Sequence, residues 1–426
     1  MKKVLIITYY WPPSGGAGVQ RVLKFAKYLP QFGWEPHILT VENGDAPIID
    51  ESLLDDIPEE CKVYKTSAFE PYNIYKKFTG KTQDEKIPYD VLLNKKPSLK
   101  EKISLWIRLN LFVPDAKIGW IPSAVKKAVD IIKKENIDLI FSSSPPHTVQ
   151  LIAKKTAKKT GLKWISDFRD PWMEMLHNQQ NNRFFLTKMV DSHLEKKSLK
   201  TADRVITISK GIVEDFNSKV NNNYYIIPNG YDETDFDYSI KSENEELTVS
   251  YTGVMSVTRL PEMFLKSVQK LKKENQAKIK LQIAGKTCPE FESLIDKYEL
   301  RENFNFLGYL SHKESTKVLM KSDLLLLVVD NIPNNKGFLT GKIFEYLGCK
   351  KNIFAVGPVN GDAHQLIKDS KSGVLLDYND EAGTYDALLG LYKDWEEKKI
   401  RDDFETEKYS RRNLTKELVK VFEEIN

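Results

Sequence analysis

KKVLIITYYWPPSGGAGVQRVLKFAKYL, residues 2–29, begins with a β-prone apolar run, turns through Pro12, Pro13, Gly15, Gly16 and Gly18, and continues with apolar residues at helical spacing. Val19, Val22, Leu23, Phe25, Ala26 and Leu29 recur every three or four positions, so the stretch reads as strand, glycine turn and amphipathic helix. The same unit repeats outward from it. Short apolar runs fall at about 2–9, 35–41, 61–65, 138–143, 163–167, 204–208 and 224–228. A second series falls at about 247–252, 279–284, 303–307, 324–329, 352–356 and 373–377. Strands alternating with helical patterns imply an α/β chain with parallel sheets, here two Rossmann-like domains.

The two series are separated by YDETDFDYSIKSENEEL, residues 231–247, whose acidic, polar composition reads as a linker. The boundary is expected near 236–246, giving an N-terminal domain over 1–240 and a C-terminal domain over 241–403. Only helical patterns follow the last strand. The tail 404–426 carries one apolar stripe, Leu414, Leu418, Val421 and Phe422, and is expected to pack back on the N-terminal domain.

Composition narrows the function classes. At 426 residues with 41% hydrophobic and 29% charged side chains, the chain is globular and long enough for more than one core. A net charge of +4 is too small to imply nucleic-acid binding. The three scattered cysteines offer neither a disulfide framework nor a CxxC knuckle, which fits a reducing, cytoplasmic compartment. The opening MKKVLIITYYWPP reads as a buried first strand rather than a signal peptide. No apolar run has membrane-spanning length; the longest, LLLLVVD at 324–330, has that of a strand. Charge is nonetheless uneven, because residues 72–134 hold 14 Lys/Arg against six Asp/Glu.

Parallel sheets bind ligands outside the carboxyl ends of their strands. Gly15, Gly16 and Gly18 follow the first strand and open a helix, where backbone N–H groups can approach an anion; a plain tight turn reads equally well. His147 follows the fourth strand in SSSPPHTVQ, as a structural or a ligand-contacting imidazole. After the fifth strand, SDFRDPW crowds Asp167, Arg169 and Asp170 together, either as an internal salt-bridge cluster or as ligand contacts on an acceptor side.

In this order, YYWPPSGGAGVQR, SDFRDPW, ITISKGIVEDF, IIPNGYD, YTGVMSVTR, QIAGK, NFLGYLSH, TGKIFEYLG and SGVLLDY resemble retaining glycosyltransferase family 4, with its GT-B fold of two facing Rossmann-like domains and an interdomain cleft. The resemblance covers essentially the whole chain and is closest to bacterial members that build surface polysaccharides. It implies that Glu345, the second glutamate of an E-x7-E motif, accepts hydrogen bonds from the nucleotide ribose, as one carboxylate can accept two. The first glutamate of that motif falls at Gly337, a departure from the family; backbone amides near Gly337, Phe338, Leu339 and Thr340 take its place in contacting the donor. Family members carry an arginine directly after the glycine that ends the first strand of the second domain, and a lysine a few residues later. Here Val254 holds the first place and Arg259 lies near the second. Lys342, at a helix start, is a further phosphate ligand. His147 takes the place of the histidine that contacts the donor sugar, the loop at Gly15 and Gly16 that of the loop near the diphosphate, and Tyr309 and Leu310 that of the main-chain contacts to the base.

The implied reaction is metal-independent transfer from a nucleotide sugar, a UDP-sugar at family level, to a glycan or polyprenyl-linked acceptor, with no metal or other cofactor. Two other readings stay open. A GT-B epimerase or hydrolase would use the same nucleotide pocket without a sugar acceptor, and a non-catalytic partner in polysaccharide assembly would account for Val254 and Gly337. Within the basic segment, KEKISLWIRLNLFVPDAKIGWIPSAVKK at 100–127 mixes Trp106, Leu111 and Trp120 with lysines. It reads either as a helix packed on the sheet with solvated lysines, or as a peripheral contact with the anionic inner face of the cell membrane.

Overall fold

The computed structural model describes residues 1–42, 44, 49–68, 106, 109–173 and 183–425. In chain order the elements are β1 (Lys2–Ile7), α1 (Ala17–Tyr28), β2 (Trp34–Val41), β3 (Lys62–Thr66), α2 (Ile121–Glu135), β4 (Leu139–Ser144), α3 (Thr148–Thr160), β5 (Trp164–Phe168), α4 (Phe185–Thr201), β6 (Arg204–Thr207), α5 (Lys210–Lys219) and β7 (Tyr224–Ile226). There follow β8 (Leu247–Thr252), α6 (Glu262–Asn275), β9 (Ile279–Ala284), α7 (Pro289–Lys297), β10 (Phe304–Gly308), α8 (His312–Lys321), β11 (Leu324–Val328), α9 (Gly341–Cys349), β12 (Asn352–Val356), α10 (Asp362–Asp369), β13 (Gly373–Leu376), α11 (Glu381–Glu396) and α12 (Arg411–Glu423).

The strands form two sheets, ordered β3-β2-β1-β4-β5-β6-β7 and β10-β9-β8-β11-β12-β13, with every pair parallel. Central strands of such sheets are covered on both faces and therefore read as continuous apolar runs. Val4 to Ile7 of β1 are fully buried, and Leu324 to Val328 of β11 nearly so. Helix α1 shows the complementary pattern, burying Val19, Val22, Leu23, Phe25 and Ala26 on one face.

Two compact units result, one of residues 1–208, 212–227 and 415–426, the other of 209–211 and 228–414. The division falls at Ile227/Pro228, ahead of the stretch 236–246 where composition placed it. Aromatic anchors explain the difference: Tyr231 and Phe236 are buried with Phe344 and Leu347 of α9, and Tyr238 Oη donates to the Gly348 carbonyl at 3.0 Å. Acidic residues between these anchors conceal a segment that is packed on the second unit. At the other end, the last part of α12 rejoins the first unit, where the Phe422 ring lies 5.1 Å from that of Trp34 and 5.7 Å from that of Phe141. Among the described residues no helix is long and apolar enough to cross a membrane.

Candidate donor-binding site

In the second unit, chemistry collects at the carboxyl ends of β8 and β11, beside the start of α9. Beyond β8 the chain turns at Gly253 with φ of 101°, and a Cβ there would lie 2.6 Å from Lys342 Cε. That close approach requires glycine, and it lets the Lys342 side chain lie across the turn. Lys342 Nζ donates to Tyr251 Oη at 2.6 Å and stands 4.1 Å from the centre of the same ring. Tyr251 Oη donates in turn to the Val254 carbonyl at 2.8 Å, which also accepts from Arg259 Nη1 at 3.3 Å. Arg259 Nη2 binds Asp330 Oδ2 at 2.7 Å, and Thr258 Oγ1 donates to Asp330 Oδ1 at 2.6 Å. Asp330 thereby sets the position of the arginine from just past the end of β11.

Burial, with the Arg259 charge nearby, pushes the Lys342 ammonium down to about 7, against the pull of Glu345 and Asp330. Glu345, one helical turn further along α9, is pushed up by burial while His312 and Lys342 draw it back. His312 Nε2 lies 3.6 Å from Asp235 Oδ2, so an acid–imidazole pair flanks the glutamate. The start of α9 carries no side-chain cap, and the buried Thr340 Oγ1 has no hydrogen-bond partner among the described residues. Uncapped N–H groups at a helix start attract anions. Two cations, an open helix end and a carboxylate one turn away are what a diphosphate joined to a ribose would meet.

The remaining expectations for this unit fare unevenly. Gly337 ends a short 3-10 turn over Asn335–Gly337, and the Phe338 amide donates to the Asn335 carbonyl at 3.1 Å. The Phe338 N–H is thus engaged within the turn, and Leu339 is half-buried beside it. Tyr309 and Leu310 follow edge strand β10, with Tyr309 87% exposed. Tyr251 and Asp330 escaped the sequence reading. Their strand-end positions were the available signal, but a tyrosine inside SYTG and an aspartate after LLLLVV look like ordinary core and cap residues.

In the first unit, Asp167 takes part in an internal ion pair, one of the two readings its sequence allowed. Fully buried, it receives Arg21 Nε at 3.0 Å, Arg21 Nη2 at 2.8 Å and Ser143 Oγ at 2.6 Å. Arg169 is also buried, its Nε donating to the Ser144 carbonyl at 3.0 Å and its Nη2 to the Pro145 carbonyl at 2.9 Å. Its guanidinium occupies the space a Cβ on Gly18 would need, at 2.0 Å. Gly18 therefore serves side-chain packing, while Gly15 is partly buried and Gly16 exposed at the start of α1, the latter with φ of 103°. Asp170 is half-buried, and burial raises its pKa against the pull of Arg169. His147 caps α3, stacked on Trp172 with ring centres 4.6 Å apart. Neither of its nitrogens has a hydrogen-bond partner among the described residues, and burial beside Arg169 pushes it down to about 3, so it is neutral.

Within the basic segment, Lys76, Lys77, Lys81, Lys86, Lys95, Lys96, Lys100, Lys102 and Arg108 lie outside the described residues. Trp120, which the sequence left open between packing on the sheet and facing a membrane, is fully buried, with Nε1 donating to Thr66 Oγ1 at 2.8 Å.

The family described as Glycosyltransferase Family 4 matches residues 14–235, just over half of the chain. The family described as glycosyl transferases group 1 matches residues 232–411. Among solved structures, sucrose-phosphate synthase from Thermosynechococcus elongatus superposes with a TM-score of 0.62 at 13% identity, over 100% of this chain and 99% of that one. HepE from Anabaena, in complex with UDP, gives 0.60 at 14% identity over 100% of both chains. The lipopolysaccharide outer core galactosyltransferase WaaB gives 0.56 at 15% identity, again over 100% of both. These likenesses show the GT-B fold. No curated protein sequence matches the chain.

Proposed function

The chain belongs to glycosyltransferase family 4, and from that premise we propose that it moves a sugar, with retention at the anomeric carbon, from a nucleotide-diphosphate sugar to a glycan or polyprenyl-linked glycan in surface-polysaccharide assembly. The observation that carries this reading is the meeting of Arg259 and Lys342 at one strand-end turn beside the uncapped start of α9, with Glu345 one turn on. UDP is the favoured nucleotide, since HepE was solved with UDP and with UDP-glucose.

In this reading the bond from the anomeric carbon to the diphosphate breaks and its electron pair leaves on the phosphate oxygen. The acceptor oxygen attacks the same face, and its proton passes to the departing phosphate. Charge grows on the diphosphate as that bond stretches, and preorganised cations and helix N–H groups stabilise it without a metal. Asp330 holds Arg259 ready, while Tyr251 holds Lys342, and Lys342 crosses the turn at which the family's arginine is replaced by Val254. Glu345 accepts from the ribose hydroxyls. His147, neutral, is assigned to a sugar hydroxyl, and the free thiols of Cys61, Cys288 and Cys349 support a reducing, cytoplasmic setting.

The experiment is a panel of nucleotide sugars assayed for nucleotide release, with and without polyprenyl-diphosphate-linked glycan and with and without a chelator. Acceptor-dependent release that survives chelation supports the proposal. Release without acceptor indicates a hydrolase and sugar interconversion without release an epimerase; failure to bind any donor leaves the non-catalytic reading. Each of these three results overturns the transferase.

A further inference from the structure

Helix α4 is built inside out. A soluble helix turns its apolar stripe to the core and its polar side to water, but the residues α4 buries are largely polar: Thr187, Asp191, Glu195 and Ser198. They are held by protein partners. Asp191 accepts from Trp172 Nε1 at 2.6 Å and pairs with Arg183, and Glu195 pairs with Lys219 at 3.2 Å. The outer face begins instead with Phe184, Phe185, Leu186, Met189 and Val190, each at least half exposed. Trp106 and Leu111 extend this apolar surface, being 51% and 64% exposed. Their segment is tied to the start of α4 through Asn110, which accepts from the Phe184 amide at 2.6 Å and from Thr187 Oγ1.

Further along the same face the character changes. Lys196, Lys197 and Lys200 are exposed, as is Lys188 near the start, whereas both carboxylates of α4 are fully buried. Neighbouring α3 brings Lys154 and Lys155 close to Lys197: burial first, and Lys197 and Lys155 after it, push Lys154 down to about 8. An apolar end followed by a basic stretch with no ion pair among the described residues, over about 22 Å of one helix face, matches a lipid surface with anionic headgroups. Bulky side chains would enter the acyl boundary while the lysines meet phosphates. A second copy of the chain fits poorly, because face-to-face pairing would bury these lysines against one another when parallel, or against the apolar start of the partner helix when antiparallel.

We propose that the outer face of α4, with Trp106 and Leu111, docks on an anionic membrane surface. The lysines of this surface lie outside the basic segment 72–134, which contributes only Trp106 and Leu111, and the proposal does not depend on the transfer reaction. Cosedimentation with vesicles of phosphatidylcholine containing about 30% phosphatidylglycerol tests it with the full chain. Binding is expected to fall at least about tenfold on pure phosphatidylcholine, in F185S/M189S and, separately, in K196E/K197E. Thermal unfolding and nucleotide-sugar binding should be unchanged in both variants, since these side chains lie outside the core and the donor site. A wild type that ignores anionic vesicles at low salt overturns the proposal. So do variants that bind like wild type, or a lipid-free dimer that F185S/M189S turns monomeric. A protein that binds vesicles but no nucleotide sugar would refute the transferase reading and leave this one standing.

Discussion

If Lys342 binds the donor diphosphate as proposed, donor use should depend on pH in a calculable way. Its ammonium, pushed from 10.5 to about 7, experiences an environment unfavourable by roughly 5 kcal/mol relative to water. Burial is the main cause, and Arg259 adds to it. In the ligand-free protein Lys342 is therefore mostly protonated at about pH 6 and about one-tenth protonated at about pH 8. Only the charged form can neutralise a diphosphate, so kcat/KM for the donor should fall roughly tenfold over that interval. A nucleotide-diphosphate sugar is the right probe, because unlike UDP it has no phosphate proton to lose near neutrality. K342M removes the titrating group while keeping an unbranched chain over Gly253. The variant should lack the alkaline limb, start low at about pH 6 and converge with wild type by about pH 9. Stability gives an independent sign check: because the folded pKa lies below the unfolded one, the unfolded chain holds more protons between about 7 and 10.5. Wild-type stability relative to K342M should therefore rise with pH across that window. A wild-type kcat/KM that is flat from pH 6 to 8, or a limb that persists in K342M, would refute the assignment of Lys342 to the diphosphate.

Glu345→Ala should weaken donor binding by about 1.5–3 kcal/mol in calorimetry, the cost of losing hydrogen bonds to a charged acceptor; unchanged affinity would remove the ribose assignment. Arg259→Ala should lower kcat more than donor affinity if the guanidinium acts on charge that grows in the transition state, a split read directly from initial rates. Gly18→Ala should lower the melting temperature, because its Cβ would meet Arg169 at 2.0 Å and the buried guanidinium would have to leave two carbonyls; an unaltered melting curve would show that the loop can shift at no cost. Asp167→Asn removes the buried carboxylate that Arg21 binds through two nitrogens and should destabilise by about 3–5 kcal/mol in denaturant titration, while donor affinity in the second unit stays constant.

The sheets were legible because parallel strands buried on both faces must be apolar throughout. VLII in β1 and LLLLV in β11 can hardly be anything else once helical periodicity resumes on either side. The segment 231–247 was misread for a related reason. Its composition is acidic, yet Tyr231, Phe236 and Tyr238 are spaced to reach into the core beneath α9, and a few aromatic anchors outweigh many solvated carboxylates in deciding where a segment packs. Helix α4 carries no apolar core stripe to read, because its buried face is largely polar: Asp191 and Glu195 face Arg183 and Lys219.

The candidate site shows where linear reading ends. At Val254 the sequence lacks the arginine its family places after the strand-end glycine, so at that point a cation is missing from the linear pattern. In space the loss is made good from elsewhere. Gly253 has no side chain, and into the volume a Cβ would fill comes Lys342, 89 positions later, held by the hydroxyl of Tyr251. Arg259 turns back to the same Val254 carbonyl that Tyr251 binds, so both cations are indexed to one backbone oxygen. A charge supplied from a helix start rather than from the turn itself is more deeply buried, and burial is what brings its pKa near neutrality. The departure from the family pattern thus has a chemical consequence: an arginine at position 254 would stay charged at every physiological pH, whereas Lys342 makes the same electrostatic contribution conditional on the proton.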